Sequence, residues 1–236
     1  MSGDRYADVV IVGGGHAGLL LGIALSHGGI AVRLVERQAR AAILAAPADG
    51  RSLALLAGSM AILRRVGAWP QLAPHAEPVE RVEVVDVEGG GEVHYDSERY
   101  GKGPFGAGVE HVSLRRALLE AFLTQAGDDA WQQGEVASQR RVGDIMEVTF
   151  ADGSRCRAPL VVGADGRASR VRELAGITVD RWAYDQHALT MVVRHQHPHR
   201  GTVREWMRRG GPLAILPLRG RRTGVTWVER KQESMT

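Results

Sequence analysis

Six residues near the start of the chain, Gly13-Gly14-Gly15-His16-Ala17-Gly18, have the types and spacing of a turn that binds a dinucleotide. In such a turn Gly13 permits a tight reversal, Gly15 lets a pyrophosphate approach the backbone, and Gly18 lets the following helix pack closely. The helix N-terminus then presents N–H groups and a partial positive charge to the phosphates. The whole run is therefore a candidate cofactor site, although glycine triplets also occur in ordinary surface turns.

The flanking sequence supplies the elements that this turn requires. Residues 8–12 have the pattern of a short buried strand and residues 19–25 that of an apolar helix. A second apolar strand, residues 31–35, ends at Glu36, where an acidic side chain accepts hydrogen bonds from adenosine ribose hydroxyls. We include the next residue, Arg37, in the predicted site. An acid here disfavours a 2′-phosphate and so favours FAD or NAD over NADP, unless Glu36 is simply a solvated charge at a strand end.

A second candidate loop lies far downstream, at Gly163-Ala164-Asp165-Gly166. It follows a predicted buried strand over residues 160–162 and precedes a predicted helix over residues 169–175. Two interpretations of Asp165 are open. It serves a bound dinucleotide together with the first loop, or it is a capping carboxylate in an ordinary turn between a strand and a helix.

Composition limits the classes of protein that this chain can represent. With 236 residues and 44% hydrophobic content it can bury a sizeable core, and its formal net charge is +3. Basic residues are not interleaved with aromatics, which argues against nucleic acid as a partner. The single cysteine, Cys156, excludes an internal disulfide and fits a reducing compartment. Residues 9–25 are apolar, but glycines and His16 interrupt them, which favours a buried strand and helix over a membrane span.

The remaining patterns predict an α/β fold in which a Rossmann-like domain is interleaved with a partial β-rich domain. We expect the first domain at residues 1–75 and 101–180 and the second at 76–100 and 181–236. The predicted elements are a loop over 37–50, helices over 52–66 and 113–125, hairpins over 79–95 and 145–158, strands over 188–194, 213–218 and 224–229, and a connecting segment over 195–211.

Two groups of basic residues allow more than one interpretation. Arg115 and Arg116 fall in the first turn of the predicted helix 113–125, where positive charge is unfavourable unless an anionic ligand lies nearby. The arginine-rich run 200–222 is either a solvated face or a contact for an anionic membrane surface or a cofactor phosphate. His195, His197 and His199 alternate and so share one face of a predicted strand. Carboxylates or cysteines at metal spacing do not accompany them, so we predict no metal site.

Taken together, the motifs resemble the aromatic-ring flavoprotein monooxygenases of the para-hydroxybenzoate hydroxylase superfamily. The resemblance is strongest to the ubiquinone-biosynthesis hydroxylases of the 2-octaprenyl-6-methoxyphenol hydroxylase type. The matching runs cover nearly the whole chain in order, and the Gly-Ala-Asp-Gly and Tyr-Asp-Gln-His runs are the most specific. These runs are residues 10–18, 49–51, 109–110 with 114–119, 160–166 with 169 and 171–172, 184–188 and 211–218.

The resemblance implies a role for each matching position. The first glycine loop and Glu36 would hold the ADP half of FAD, and Arg51 and Arg115 would lie near its phosphates and ribityl chain. Asp165 would serve both FAD and the docking of the nicotinamide nucleotide, and the backbone of Val136 would meet the adenine. An exposed loop arginine is the alternative for Arg51. The resemblance identifies no catalytic side chain.

The implied reaction is hydride transfer from NAD(P)H to FAD, followed by oxygen-dependent hydroxylation of a hydrophobic, electron-rich phenol on the route to ubiquinone. In such reactions the cofactor carries the difficult step and the protein supplies position and water exclusion. We expect a cytoplasmic protein, with peripheral contact to the inner membrane or to a quinone-biosynthesis complex as a further interpretation.

The chain departs from the family pattern at its C-terminal end. Family members continue to a Gly-Asp segment that contacts the ribityl chain, and this sequence ends at Thr236. We therefore expect a C-terminally truncated chain. The alternative function is a non-catalytic fragment or subunit that binds FAD or another adenine dinucleotide. An NAD-dependent dehydrogenase is a third interpretation, which residues 163–166 weaken because such enzymes do not need them.

Overall fold

The computed structural model describes residues 5–101 and 103–231. The fold is mixed α/β, as the sequence predicted. Within the described residues the strands are β1 (Arg5–Tyr6), β2 (Val9–Val12), β3 (Val32–Glu36), β4 (Ser52–Leu56), β5 (Glu77–Val79), β6 (Arg81–Asp86), β7 (Glu92–Asp96), β8 (Gly106–Glu110), β9 (Trp131–Gln133), β10 (Val136–Val142), β11 (Ile145–Phe150), β12 (Arg155–Ala158), β13 (Leu160–Gly163), β14 (Gln186–Arg194), β15 (Thr202–Met207), β16 (Leu213–Leu218) and β17 (Arg222–Arg230). The α-helices are α1 (His16–His27), α2 (Arg40–Leu44), α3 (Ala57–Arg65), α4 (Trp69–Leu72), α5 (His111–Ala126) and α6 (Arg170–Leu174).

The chain divides into two compact units, each built from two separate stretches. The first comprises Met1–Ala46 and Arg115–Arg181, and the second comprises Pro47–Leu114 and Trp182–Thr236. Residues 47–75 and 101–114 thus belong to the second unit by their contacts, whereas we expected them in the cofactor-binding domain. Since a functional domain is defined by what it binds as well as by compactness, the predicted domain assignment stays a prediction.

The first unit contains a four-stranded parallel sheet in the order β13-β2-β3-β9. Strand β2 lies in the middle, and all four of its valine and isoleucine side chains are buried. Continuous burial is what a parallel strand covered on both faces requires. Since the strands are parallel, the loops that follow β2, β3 and β13 emerge at the same edge of the sheet.

A second sheet of the first unit has the order β1-β12-β11-β10. The predicted hairpin over 145–158 is present: β11 and β12 are antiparallel and joined by an Asp-Gly turn, where Gly153 has φ +81°. One face carries buried apolar residues. On the other face Glu147 is buried, and it accepts hydrogen bonds from Arg140 and Arg157 on the two neighbouring strands.

The second unit contains a six-stranded sheet in the order β14-β17-β16-β15-β6-β7 and a three-stranded sheet in the order β4-β8-β5. The predicted hairpin over 79–95 forms its β6–β7 edge. Strands β15 and β6 are parallel, with Thr202 opposite Arg81. At the other edge the turn at Gly50 packs on β14, because a Cβ on Gly50 would lie 3.0 Å from the carbonyl oxygen of Thr190.

Three element predictions were wrong. Residues 52–66 are a strand followed by helix α3, because Ser52–Leu56 pairs antiparallel with β8. The segment 37–50 contains the short helix α2. The connection 195–211 contains β15, which pairs with β6 and β16. The three alternating histidines lie in irregular chain between β14 and β15, so they do not share a strand face.

Over the described part of the chain, no helix combines the length and the apolar character that crossing a bilayer would demand.

Candidate functional site

The two candidate loops lie against each other in the first unit. Gly13 follows β2 and Ala164 follows β13, and the N–H of Ala164 donates to the carbonyl of Val12 at 2.7 Å. Gly13 has φ +112°, and a Cβ there would lie 2.3 Å from the carbonyl oxygen of Ala164 and 2.7 Å from the nitrogen of Asp165. Only glycine fits this contact. The two motifs therefore form one surface at the carboxyl edge of the parallel sheet.

The glycines of the first loop differ in what surrounds them. A Cβ on Gly18 would lie 1.9 Å from the carbonyl oxygen of Gly13, so Gly18 lets α1 approach the turn as predicted. At Gly15 a Cβ would meet no atom within 4 Å. Gly15 is the N-cap residue of α1, and the first turn, which starts at His16 and Ala17, carries no acidic residue. The open space and the uncapped N-terminus are what a pyrophosphate requires.

Glu36 lies beside this turn at the end of β3 and is only 8% exposed. Its Oε2 accepts from the N–H of Gly14 at 2.7 Å, and its Oε1 accepts from the N–H of Gln38 at 3.0 Å. The Nη2 of Arg115 lies 3.4 Å from Oε2. Glu36 is therefore held in place by the backbone rather than solvated, which argues against the alternative that it is an ordinary surface charge.

Arg115 also contacts the turn itself. Its Nε donates to the carbonyl of Gly14 at 2.8 Å and its Nη1 donates to the Oε1 of Gln38 at 2.6 Å. Helix α5 begins at His111, so Arg115 and Arg116 follow its first turn instead of lying within it. Our argument from the helix dipole was therefore wrong, and Arg116 donates to the carbonyl of Ala46.

The carboxylate of Asp165 caps a helix. Its Oδ2 accepts from the N–H groups of Arg170 at 2.7 Å and Val171 at 3.1 Å, and its Oδ1 accepts from the hydroxyl of Ser169 at 2.5 Å. The hydroxyl oxygen of Ser169 in turn accepts from the N–H of Arg172 in the first turn of α6. The capping interpretation therefore describes the contacts of this side chain, and the assignment of Asp165 to the cofactor stays a prediction.

Val136 and Arg37 lie near Glu36 for different reasons. The N–H of Gly134 donates to the carbonyl of Glu36 at 3.0 Å, which brings the start of β10 beside the end of β3. The side chain of Val136 is buried in the apolar core, so only its backbone is suited to face a ligand. Arg37 is exposed, and its carbonyl accepts from Gln133 at 3.4 Å.

The family model described as "FAD binding domain" matches residues 6–235. The chain belongs to this family. It is 38% identical over 229 residues to ubiquinone hydroxylase UbiL of Rhodospirillum rubrum, covering 97% of this chain and 53% of the relative. It is 30% identical to the 3-demethoxyubiquinol 3-hydroxylase of Escherichia coli, covering 96% and 58%. The chain thus spans about half the length of these curated relatives.

Solved structures agree with this fold. PqsL of Pseudomonas aeruginosa, described as a probable FAD-dependent monooxygenase, has a TM-score of 0.81 at 22% identity, covering 98% of this chain and 62% of that one. HpxO of Klebsiella pneumoniae, solved with FAD and uric acid, has a TM-score of 0.74 at 19% identity, covering 97% and 57%. The cofactor of this FAD-binding domain is FAD, and the contacting loops with open space at Gly15 fit its pyrophosphate.

Arg51 lies in the second unit of the FAD-binding domain, at the turn that packs on β14. Its Nε donates to the Oδ2 of Asp49 at 2.9 Å, and the Nδ1 of His111 lies 3.3 Å from the same oxygen. Burial raises the pKa of Asp49, but the hydrogen bonds and charge of Arg51 outweigh it and hold the pKa below its usual value. The side chain of Arg51 is 55% exposed, so its predicted contact with FAD stays a prediction.

The arginine-rich run 200–222 is not a free basic patch. Four of its arginines pair with carboxylates of the second unit. This pairing favours a solvated face over a contact for an anionic membrane surface or a cofactor phosphate. The pairs are Arg204 with Glu83, Arg208 with Glu229, Arg209 with Glu88 and Arg222 with Glu110.

The histidines of this segment have structural contacts. The rings of His195 and His199 meet edge to face at 5.7 Å, and His199 accepts from the N–H of Gly201 at 3.1 Å. Among the described residues one group, Glu83, Glu92 and His94, brings three potential metal ligands within 4.8 Å. Glu83 already pairs with Arg204, which offsets the negative charge that would attract a cation.

Gln38 and Trp131 contact residues of the candidate site, and the sequence reasoning did not include them. Gln38 joins Glu36 to Arg115, and a Cβ on Gly14 would lie 3.0 Å from the Trp131 ring, so Trp131 forms a wall of the turn. The position of Gln38, two residues beyond the predicted acid, was an available signal. Trp131 becomes a neighbour only because β9 pairs with β3.

Proposed function

We propose that this protein is an FAD-dependent, NAD(P)H-using monooxygenase that hydroxylates a phenolic precursor of ubiquinone. The observation that carries the proposal is the contact between the two loops, because Gly13 packs on Ala164 and Asp165 while the space at Gly15 stays open. The names of the relatives, a ubiquinone hydroxylase and a 3-demethoxyubiquinol 3-hydroxylase, supply the substrate class.

The proposal assigns the parts of FAD to residues of the first unit. The backbone of Gly13, Gly15 and Gly18 and the N-terminus of α1 at His16 and Ala17 would hold the pyrophosphate. Glu36 would accept hydrogen bonds from the adenosine ribose. When bound, FAD would supply hydride acceptance from the nicotinamide and the activation of dioxygen, of which one atom would enter the phenol and the other would leave as water. The protein would position the reactants and exclude water.

An apolar patch of the second unit supports a hydrophobic substrate. Leu189, Met191 and Val193 alternate along β14 and so lie on one face of the sheet, and Trp227 on β17 is the partner of Leu189. These four residues are 38–40% exposed. Exposed apolar surface of this kind suits a prenylated phenol better than a charged aromatic acid.

Flavin content and product formation test the proposal. Purified protein should carry or accept FAD, with the absorption bands of a protein-bound flavin. With NADH or NADPH and a short-chain 2-prenylphenol, mass spectrometry should detect a product with one added oxygen atom. A protein that takes up FAD and never yields that product, with either nucleotide and in the presence of detergent, would refute the hydroxylase assignment.

The second candidate function is FAD binding without hydroxylation, as a fragment or as a subunit completed by another chain. The contact between the two loops and the open space at Gly15 support this binding by themselves. This function predicts NAD(P)H oxidation that releases hydrogen peroxide and leaves the phenol unchanged. Peroxide and product yields measured in one reaction separate the two candidates.

The proposal also includes a cytoplasmic location, with the lipid-like phenol reached at the inner membrane or within a quinone-biosynthesis complex. Because arginines of the run 200–222 are paired with carboxylates, we base this contact on the apolar patch rather than on charge. Sedimentation with neutral vesicles tests it, and Trp227→Ser should reduce the bound fraction. Binding that instead required anionic lipid would contradict this assignment.

A further inference from the structure

The guanidinium of Arg115 connects three parts of the first unit. It donates from Nε to the carbonyl of Gly14 in the turn and from Nη1 to Gln38 beyond β3, and its Nη2 lies 3.4 Å from Glu36. Glu36 and Gln38 are themselves joined, because Glu36 accepts from the N–H of Gln38. The contacts therefore form a closed ring between α5, the glycine turn and the end of β3.

With Glu36 assigned to the adenosine ribose, as proposed above, this ring lies on the ribose side of the cofactor site. The open space that suits a pyrophosphate is at Gly15 and the start of α1, whereas the acceptors of Arg115 are Gly14, Gln38 and Glu36. The side chain of Arg115 is 20% exposed and that of Glu36 is 9% exposed. In such a partly buried pair the charge of the guanidinium balances the carboxylate, which leaves little of it to attract a phosphate.

We propose that Arg115 is a positioning residue, with Gln38 as its second member, which fixes Glu36 and the glycine turn for the adenosine ribose. In this role Arg115 acts through Glu36 and Gly14 and does not bind the phosphates of FAD. Every contact of the ring is made by atoms of the protein itself. The inference rests on the cofactor binding that is part of the proposed function.

Two fragments of the cofactor separate a ribose role from a phosphate role. Adenosine has the ribose and no phosphate, and ADP has both. We expect Arg115→Ala to weaken the binding of adenosine, ADP and FAD by a similar factor. That factor is about ten-fold, which is the order of one charge-assisted hydrogen bond. Affinities are measured with the flavin-free protein, by calorimetry for FAD and by competition against FAD for the fragments. A loss confined to ADP and FAD, with adenosine unchanged, would overturn the proposal.

Gln38 provides a milder variant if Arg115→Ala folds poorly. Gln38 is exposed, so Gln38→Ala should leave the fold intact and weaken all three ligands about three-fold. The affinity loss of the double variant should be smaller than the product of the two single-variant losses, because Arg115 and Gln38 act through one ring. Independent, multiplicative losses would contradict a shared ring.

Arg115→Lys and Arg141→Ala complete the experiment. A lysine keeps the charge but carries all of its donors on one nitrogen, so it cannot bridge Gly14, Gln38 and Glu36 as the planar guanidinium does. Arg115→Lys should therefore behave like the alanine variant. Recovery of full affinity by lysine would indicate a charge effect and overturn the proposal. Arg141 is an exposed arginine of the same unit that pairs with Asp144, and its removal should change none of the affinities. If the unaltered protein bound no FAD, the proposed function would fail instead.

Discussion

Gly15 and Gly18 belong to one motif, but their surroundings predict opposite consequences of substitution. A Cβ on Gly15 points into open space at φ −81°, so Gly15→Val should fold normally and exclude the pyrophosphate. We expect loss of FAD uptake, measured by flavin absorption after gel filtration, with an unchanged urea midpoint of the flavin-free protein. Undiminished flavin content would show that the pyrophosphate does not bind at this turn.

Gly18→Ala is the matched variant for stability. Its Cβ would lie 1.9 Å from the carbonyl oxygen of Gly13, so the backbone must move. Overpacking of this kind costs about 1–3 kcal/mol. The free energy of unfolding of the flavin-free protein should fall by that amount in urea denaturation, and a stability equal to the parent would contradict the close packing of α1.

Asp165→Asn distinguishes the two interpretations of the late loop. Asparagine is itself a good cap, whereas alanine removes the acceptors for Arg170 and Val171. We expect Asp165→Ala to cost about 1 kcal/mol of stability, and Asp165→Asn to cost much less. If the asparagine variant keeps its stability but loses FAD affinity, measured by fluorescence titration, the carboxylate serves the cofactor as well as the helix.

For single residues, the sequence predicted the roles that depend on backbone geometry. The roles of Gly13 and Gly18 follow from a local pattern, and both have the close contacts that the pattern requires. The partners of Arg51 and Arg115 could not be predicted in the same way. Arg51 bonds to Asp49 within its own turn, and Arg115 reaches Gln38 across 77 positions of sequence, a pairing that only the fold creates.

Among the elements, the sheet formed by β1, β12, β11 and β10 contains an ionic ladder with a pH-dependent contribution. Hydrogen bonds from Arg157 and Arg140 lower the pKa of Glu147 from its ordinary 4.5. A lowered pKa means that its stabilisation is present above 4.5 and is lost as pH falls through the folded-state value. Glu147→Gln should therefore reduce stability at neutral pH and weaken the acid dependence, measured by urea midpoints between about pH 7 and about pH 3.

The control for this prediction is Asp144→Asn. Asp144 is fully exposed and pairs with the exposed Arg141, so its removal should leave the acid dependence nearly unchanged. Parallel pH profiles for the parent and Glu147→Gln would show that Glu147 does not carry the effect.

Elements with strong local patterns were predicted, and those defined by a distant partner were not. Strand β2 and the two hairpins follow from apolar runs and Asp-Gly or triple-glycine turns. Residues Ser52–Leu56 read as helix because the apolar run continues into α3, and pairing with β8 overrides that tendency. Strand β15 was missed because Arg204 and Glu205 interrupt its apolar pattern, and parallel pairing with β6 stabilises it.

For the whole molecule, FAD should stabilise the folded state by mass action. At a free concentration of about 100 times Kd the gain is about 2.7 kcal/mol, which raises the melting temperature by several degrees. Differential scanning fluorimetry with and without FAD measures it. The Gly15→Val variant should lose the shift, while Arg141→Ala should keep it.

The class of the fold could be predicted from the whole sequence, whereas the bounds of the two compact units could not be read from local pattern. A hairpin between units of parallel type indicated interleaving correctly, since both compact units are discontinuous. The positions of the divisions depend on β4 and β8, whose pairing brings residues 47–114 together. Local pattern does not record such pairings, because the residues that form them lie far apart in sequence.

The parallel pairing of β6 with β15 has a consequence for synthesis on the ribosome. Strand β6 (Arg81–Asp86) cannot pair with β15 until Thr202–Met207 has been synthesised. In the same way, β2 (Val9–Val12) cannot pair with β13 until Leu160–Gly163 has been synthesised. Closing such long loops delays folding and leaves apolar strands uncovered in the meantime. The nascent chain should therefore finish its first unit before its second.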